Sequence, residues 1–400
     1  MEETAEARPR LAGLDGLRGL AALFVVVHHV FLRAFPGYPA DHAPLWAAWL
    51  IYGRFAVVVF IVLSGFSLAL APARRGWQLG GVGRFAGRRI RRILPAYWAA
   101  LAFSLVVAWL VVPPPGQAAP DAASVVVNGL LVENLVAAPS PNRSFWSMAV
   151  EAQLYLALPL LLLLVRRVGA VRMLATVTVL VAAVDLLAAP GSRLDTYVVQ
   201  SPPDLAALFA LGVLTAGIVG ARERLRGLPW PALAVVAALP VLLTIWWKGS
   251  VWTADRFFWV DLALGPAIAC LLAALATDRP APLLKLLDAR PLRALGLSSY
   301  SLYLIHGPVV VVVYEELVAG RVRSGVPTFL VTIAIAIPLA ILCARCFAAV
   351  FERGYVMERA RARRPARDRS TARWRGRTMP TAVPAPLRRL RLGRTRPFTS

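Results

Sequence analysis

Long apolar runs leave eight ionisable side chains without obvious access to water: Arg18, His28, His29, Arg54, Glu151, Asp185, Asp261 and His306. Ionisable groups at membrane depth are costly and are mostly retained for function. An imidazole can take a proton from a reacting hydroxyl, and a carboxylate can hold that imidazole in place. His28 and His29 are adjacent, so they point about 100° apart on a helix and one of them faces the interior of a bundle. At 1.5 Å per residue, His29 lies roughly 15–20 Å from the start of its apolar run. Glu151 lies roughly 10 Å into a run that crosses in the opposite sense, and His306 lies near the middle of its own. In an apolar layer of about 30 Å these depths nearly coincide. A base, a carboxylate and a second imidazole at one depth make a candidate reaction centre. Arg18 and Ser64 fall at the other end, beside the arginines of segment 84–92, where an anionic ligand could be held. Asp185 and Asp261 read as packing partners. Cys343 and Cys346 read as small helix residues one turn apart. Neither a zinc-ligand spacing nor a GxSxG elbow occurs, which disfavours metal catalysis and a serine triad.

The elements that must position these groups are membrane helices. The chain of 400 residues is 58% hydrophobic and only 16% charged, whereas soluble domains carry about 25% charged residues. That excludes a disordered protein and argues against a soluble core. Spans of about 20 apolar residues are expected at 14–34, 46–71, 94–112, 144–165, 171–189, 204–220, 229–247, 257–276, 296–314 and 328–350. The expected fold is therefore all-α and polytopic, with about ten transmembrane helices. The first run has Arg8 and Arg10 before it but no small-residue cleavage site after it, and it reads as a retained helix. Loops after even-numbered spans carry 17 basic residues, among them Arg74, Arg88, Arg166 and Arg290, against seven after odd-numbered spans. Basic loops stay in the cytoplasm, so both termini are expected there. The longest external loop, 113–143, contains an apolar stretch at 125–137 that is too short to span, and a re-entrant or surface-lying segment is expected.

The net charge of +23 is unevenly spread. Segment 353–400 holds 15 Arg against Glu358 and Asp368, with five prolines and no apolar period. It reads as a disordered cytoplasmic tail drawn to anionic lipid, not as a nucleic-acid binder, because no fold accompanies the basic run. The expected division is a membrane domain over 1–355 and a tail over 356–400.

Five motifs in fixed order carry a resemblance. They are LDGLRGLAALFVVVHH (Leu14–His29), VVVFIVLSGF (Val57–Phe66), RRIRRILPAY (Arg88–Tyr97), FWSMAVEAQLY (Phe145–Tyr155) and LGLSSYSLYLIHGP (Leu295–Pro308). Over residues 10–355 the chain resembles acyltransferase family 3, bacterial membrane O-acyltransferases that acylate sugars and glycosylated products outside the cytoplasm. The family's first-helix Arg and His match Arg18 and His29, which favours His29 over His28. Its later elements match Trp146, Ser147 and Glu151, then Tyr300, Tyr303 and His306. Two positions depart from the pattern. Val58 stands where the family usually has Asp, and no Pro follows Glu352.

The resemblance implies an acyl-CoA donor, expected to be acetyl-CoA, used as a substrate and not held permanently. Arg88, Arg89, Arg91 and Arg92 would hold its phosphates, with Arg18 and Ser64 at the mouth of the site. The implied acceptor is a hydroxyl of an extracytoplasmic carbohydrate or glycosylated metabolite, lying against Trp146, Ser147, Tyr300 and Tyr303. His29 would be the base, oriented by Glu151, and His306 would polarise the thioester or serve as alternative base. The implied location is the bacterial cytoplasmic membrane. The competing class is a transporter with a His/Glu proton relay, which would not need acyl-CoA; no paired halves are visible in the sequence to favour it. Truncation after Val356 should leave acyl transfer per folded molecule within about twofold while lowering membrane retention. The check is turnover of purified, truncated protein against the full chain.

Overall fold

A computed structural model describes residues 11–113, 116, 118–136, 138–221 and 227–352. The basic tail and Arg222, Arg224 and Arg226 lie outside the described residues. Among the described residues the secondary structure is helical, without a strand. Ten helices matter here: α1 (Leu14–Ala34), α2 (Arg54–Ala73), α3 (Val82–Leu110), α4 (Phe145–Val168), α5 (Ala170–Leu187), α6 (Asp204–Ala221), α7 (Trp230–Ala254), α8 (Phe257–Ala276), α9 (Ser299–Val312) and α10 (Val326–Phe351). Nine stretches among the described residues are long and apolar enough to cross a membrane. A tenth results if Arg193–Gln200 and α6, bent by 45°, form one span. The protein is thus an all-α polytopic membrane protein.

Three expected spans differ in detail. Residues 46–71 divide into a short helix (Leu45–Ala48), a 3-10 segment (Trp49–Gly53) and α2, with the break at Tyr52 (φ −82°, ψ 25°). The third span starts twelve residues earlier than expected, so the arginines of 84–92 form its first turns and not a loop. Between Val82 and Pro95 there are two glycines, Gly83 and Gly87, and no proline, and the Arg, Leu and Ala of the segment all favour helix. The ninth is preceded by a separate helix, Arg290–Leu297, and runs on as a π-helical turn over Val313–Val318.

Without water in a bilayer, helices associate by close packing of small residues. The most extensive helix pair, α2 with α6, shows it. A methyl group on Gly65 would overlap the Phe209 carbonyl, and one on Gly212 would overlap the Val62 carbonyl. Buried apolar side chains gather into two main clusters. One is built around α1, α3, α9 and α10, the other around α2, α4, α6 and α8. The candidate site occupies the seam between them.

The stretch after Pro120 dips beside α3. Trp109 Nε1 donates to the Pro120 carbonyl (2.7 Å), whereas Tyr97 Oη and Trp98 Nε1 donate to the carbonyls of Asn128 (2.8 Å) and Gly129 (2.9 Å). Trp109 and Tyr97 are twelve residues apart, about 18 Å along the helix. The chain therefore descends to the middle of α3 and returns, with helix Ala122–Gly129 on the way down. Gln153 Nε2 of α4 donates to the Leu131 carbonyl at the turn (3.3 Å). Backbone groups at membrane depth must find protein partners, and these four side chains supply them.

Replacing Gly212 by Leu should overpack the α2–α6 crossing at a cost of about 1–3 kcal/mol. Gly83→Leu, where a Cβ meets nothing within 4 Å, is the control. Thermal unfolding of the detergent-purified proteins should show a lower midpoint for Gly212→Leu alone.

Candidate active site

The first cavity, of about 740 Å3, is lined by α1, α2, α3, α4 and α9. Arg18, Ser64, Arg89, Arg92, Ser147, Glu151, Tyr300 and Tyr303 all line it, so most of the residues singled out in the sequence converge here. Helical phase explains the exceptions. Arg89 and Arg92 lie three apart on the inward face of α3, whereas Arg88 and Arg91 are exposed on the other side. Arg18 Nη2 donates to Ser67 Oγ (3.1 Å), and Arg18 pairs with the buried Asp15 (3.6 Å). The Glu151 carboxylate accepts from Ser64 Oγ (2.7 Å) and from Tyr155 Oη, and Ser64 and Tyr155 are themselves within 2.8 Å. Tyr300 Oη donates to the Ile93 carbonyl (3.1 Å).

The imidazoles lie above this cavity, behind Tyr303 and Ser147, whose hydroxyls hydrogen-bond each other. His306 is fully buried. Its Nδ1 faces the Tyr303 carbonyl (2.7 Å) and its Nε2 faces both Ser144 Oγ (3.2 Å) and His29 Nδ1 (3.2 Å). His29 Nδ1 also lies 2.8 Å from the Val25 carbonyl. A carbonyl can only accept, so in the neutral pair both Nδ1 atoms carry the hydrogen and both Nε2 atoms carry a lone pair. The His306 lone pair is used by Ser144 and by the His29 N–H. His29 Nε2 has no protein partner among the described residues, and its ring is only partly buried. It is thus the available base of the two. His28 turns away, with Nδ1 2.7 Å from the Leu50 carbonyl in the 3-10 segment.

A second cavity, of about 380 Å3, reaches His29 from the end opposite Arg18. Its lining includes Arg33, Asn142, Arg143, Ser144, Gly307 and Pro308. The two cavities approach one another at Ser144, Ser147 and Tyr303.

Two sequence expectations are placed differently by the fold. Glu151 hydrogen-bonds Ser64 and Tyr155, not His29. An apolar run that starts at 144 puts its first residue at the membrane surface, yet Ser144 already touches His306. Glu151, seven residues further along α4, then lies about 10 Å below the imidazoles. Trp146 faces away from the cavity and lies against Arg54, whose guanidinium is 5.5 Å from the indole centroid. Arg54 bonds Asp261 (2.6 Å) and pairs with Asp204 (3.6 Å), both fully buried, so Asp261 is a structural partner. Val58 is fully buried in the apolar cluster of α2, α4, α6 and α8. Glu352 accepts from Ser301 Oγ.

Sequence reading missed Asn142, Ser144 and Tyr155. Tyr155 could have been found, because it stands one turn from Glu151 on the same helix face. Asn142 could not, since its role depends on α9. Pro308 has no N–H to give the Leu304 carbonyl, and Asn142 Nδ2 donates to that carbonyl instead (2.8 Å). The Asn142 amide oxygen accepts from the Ser144 N–H (3.0 Å), which sets Ser144 on His306.

A family model described as an acyltransferase domain matches residues 11–345. The chain belongs to this acyltransferase family. It is 28% identical over 334 residues to a putative peptidoglycan O-acetyltransferase, YrhL, of Bacillus subtilis, covering 75% of this chain and 49% of that one. It is 24% identical over 357 residues to the O-acetyltransferase OatA of Staphylococcus aureus, covering 78% and 52%. With the peptidoglycan O-acetyltransferase OatA of Listeria monocytogenes it shares 26% over 333 residues, covering 77% and 50%. The chain spans about half the length of the curated relatives it matches. No solved structure matches it.

A methyl group on Gly307 would collide with the Asn142 side chain. Gly307→Ala should therefore free the Leu304 carbonyl and displace Ser144, a loss of about 1–3 kcal/mol for an unsatisfied buried acceptor. A lower unfolding midpoint for both Gly307→Ala and Asn142→Ala, with no further loss in the double variant, is the expected result.

Proposed function

We propose that the protein is a membrane O-acyltransferase of the bacterial cytoplasmic membrane. It moves an acetyl group from acetyl-CoA to a hydroxyl of a cell-envelope carbohydrate or a secreted glycosylated metabolite. The observation that carries this is the open lone pair of His29 Nε2 between two cavities that approach from opposite ends. One has three arginines, Arg18, Arg89 and Arg92, suited to the phosphates of a CoA donor. Arg18 lies eleven residues before His29 on α1, about 16 Å below it, a gap that the long pantetheine arm of CoA suits. The names of the relatives, O-acetyltransferases in all three cases and peptidoglycan O-acetyltransferases in two, support acetyl as the group and an envelope glycan as the acceptor.

An alcohol is a poor nucleophile at neutral pH and needs a base as it attacks. The acceptor oxygen bonds to the thioester carbonyl carbon while His29 Nε2 takes its proton. The C–S bond then breaks, and the proton passes to the departing CoA thiolate. The imidazolium formed in between is stabilised through Nδ1–H by the Val25 carbonyl and the His306 lone pair. His306 thus fills the orienting role that a carboxylate fills in a Ser-His-Asp triad. The hydroxyls of Ser147 and Tyr303 stand where the thioester carbonyl would arrive and can donate to its developing negative charge. Glu151, bound to Ser64 and Tyr155, shapes the donor cavity and takes no proton.

His29→Ala should lower kcat by about 10²–10⁴-fold, the range for loss of a general base. His28→Ala should chiefly lower stability. Arg92→Gln should raise the KM for acetyl-CoA by about 10–100-fold, one charged hydrogen bond's worth, and the exposed Arg88→Gln should leave it within about twofold. Steady-state kinetics on purified variants gives both answers. In sealed, oriented vesicles, acetyl-CoA supplied only on the Arg18 side should support product on the opposite face; equal product from either side would sink the proposal.

A further inference from the structure

The opening above His29 is lined by two arginines that the chemistry at its floor does not use. Arg33 stands one turn after His29 on α1 and lines the same cavity, with four-fifths of its side chain buried. Arg143, exposed, lines it from the segment before α4, near enough for its charge to act on Arg33. The Glu315 carboxylate lies 3.3 Å from Arg33. Two guanidiniums thus line one opening at the edge of a low-dielectric bundle, where charges act strongly. Guanidinium forks match carboxylate and phosphate oxygens.

We propose that this opening selects acceptors that carry an anionic group, a carboxylate or a phosphate, close to the hydroxyl that is acylated. The inference rests on the acyltransferase reading above and names its acceptor class. Neighbours one helical turn apart are about 5–6 Å from each other. An anion bridging Arg33 and Arg143 therefore places a hydroxyl of the same or the adjoining sugar residue at His29 Nε2. Pro308 gives the opening a rigid apolar side on which a sugar face can rest. A neutral glycoside would reach His29 without that anchor.

The test uses the full chain in detergent, acetyl-CoA, and three acceptors with a free primary hydroxyl: methyl glucoside, 3-O-carboxymethyl glucose and glucose 1-phosphate. The expected result is a kcat/KM at least tenfold higher for one or both anionic sugars than for methyl glucoside, shrinking as salt is raised. A preference for both assigns recognition to charge; a preference for one identifies carboxylate or phosphate as the group read. Arg143→Gln, a surface change that folding should tolerate, should bring the anionic-to-neutral ratio close to one, and Arg143→Glu should invert it. Arg193→Gln, on the exposed helix Arg193–Gln200, should keep the wild-type ratio. A wild-type ratio near one, or a preference that survives Arg143→Gln, overturns the inference while leaving the acyltransferase reading intact. Equilibrium dialysis of radiolabelled 3-O-carboxymethyl glucose and glucose 1-phosphate against labelled methyl glucoside, without acetyl-CoA, separates the two readings. If nothing is acylated yet an anionic sugar binds selectively and loses that selectivity in Arg143→Gln, the inference stands and the acyltransferase reading falls. If nothing is acylated and no anionic sugar binds selectively, both fall.

Discussion

The carbonyl of Leu304 is the constraint on which the site depends. Pro308 deprives it of its helical partner, and in a bilayer no water can replace that partner. The protein answers with the Asn142 amide, which draws segment 141–144 down onto α9. Ser144 then meets His306, His306 meets His29, and the start of α4 is set at imidazole depth. Because α4 starts there, Glu151 falls a turn or two lower, among hydroxyls and arginines. One missing N–H thus decides which polar groups stand beside the imidazoles and which line the cavity of Arg18, Arg89 and Arg92.

The same arrangement separates charge along the seam between the two apolar clusters. Arginines stand at both ends, and the imidazoles between them are held by backbone carbonyls, a serine and each other. A second neutral imidazole orients the ring and leaves its lone pair open. Two cavities that approach without merging also keep water from running between the two sides. The thioester donor proposed above would need that protection until its acceptor arrives.

Much of this was legible in the sequence because membrane physics leaves a strong local trace. The runs of apolar residues located the helices, and the rarity of buried charge pointed to Arg18, Glu151 and His306. The separation of His28 from His29 followed from helix geometry together with the family motif. What stayed hidden depended on contacts between distant segments. The sequence does not say that Asn142 reaches Leu304, so Ser144 looked like a surface residue and the depth of Glu151 was misjudged. Segment 84–92 looked like a basic loop because its charges masked a helix that continues α3, and only helical phase separates Arg89 and Arg92 from Arg88 and Arg91. Trp146 was assigned to a ligand by its motif, but its partner is Arg54 on another helix.

Arg54 has a consequence for how the protein is made. Its partner Asp261 is 207 residues further along the chain. At a synthesis rate of about 5–20 residues per second, α2 leaves the ribosome roughly 10–40 s before α8. Until Asp204 and then Asp261 are made, the guanidinium at the head of α2 lacks the two carboxylates it pairs with. The helix must wait near the water interface, with its arginine reaching back to the headgroups, as long basic side chains can. Insertion of α2 and closure of the α2, α4, α6 and α8 cluster are therefore separate events in the life of this chain, and the pairing of Arg54 with Asp204 and Asp261 marks the second.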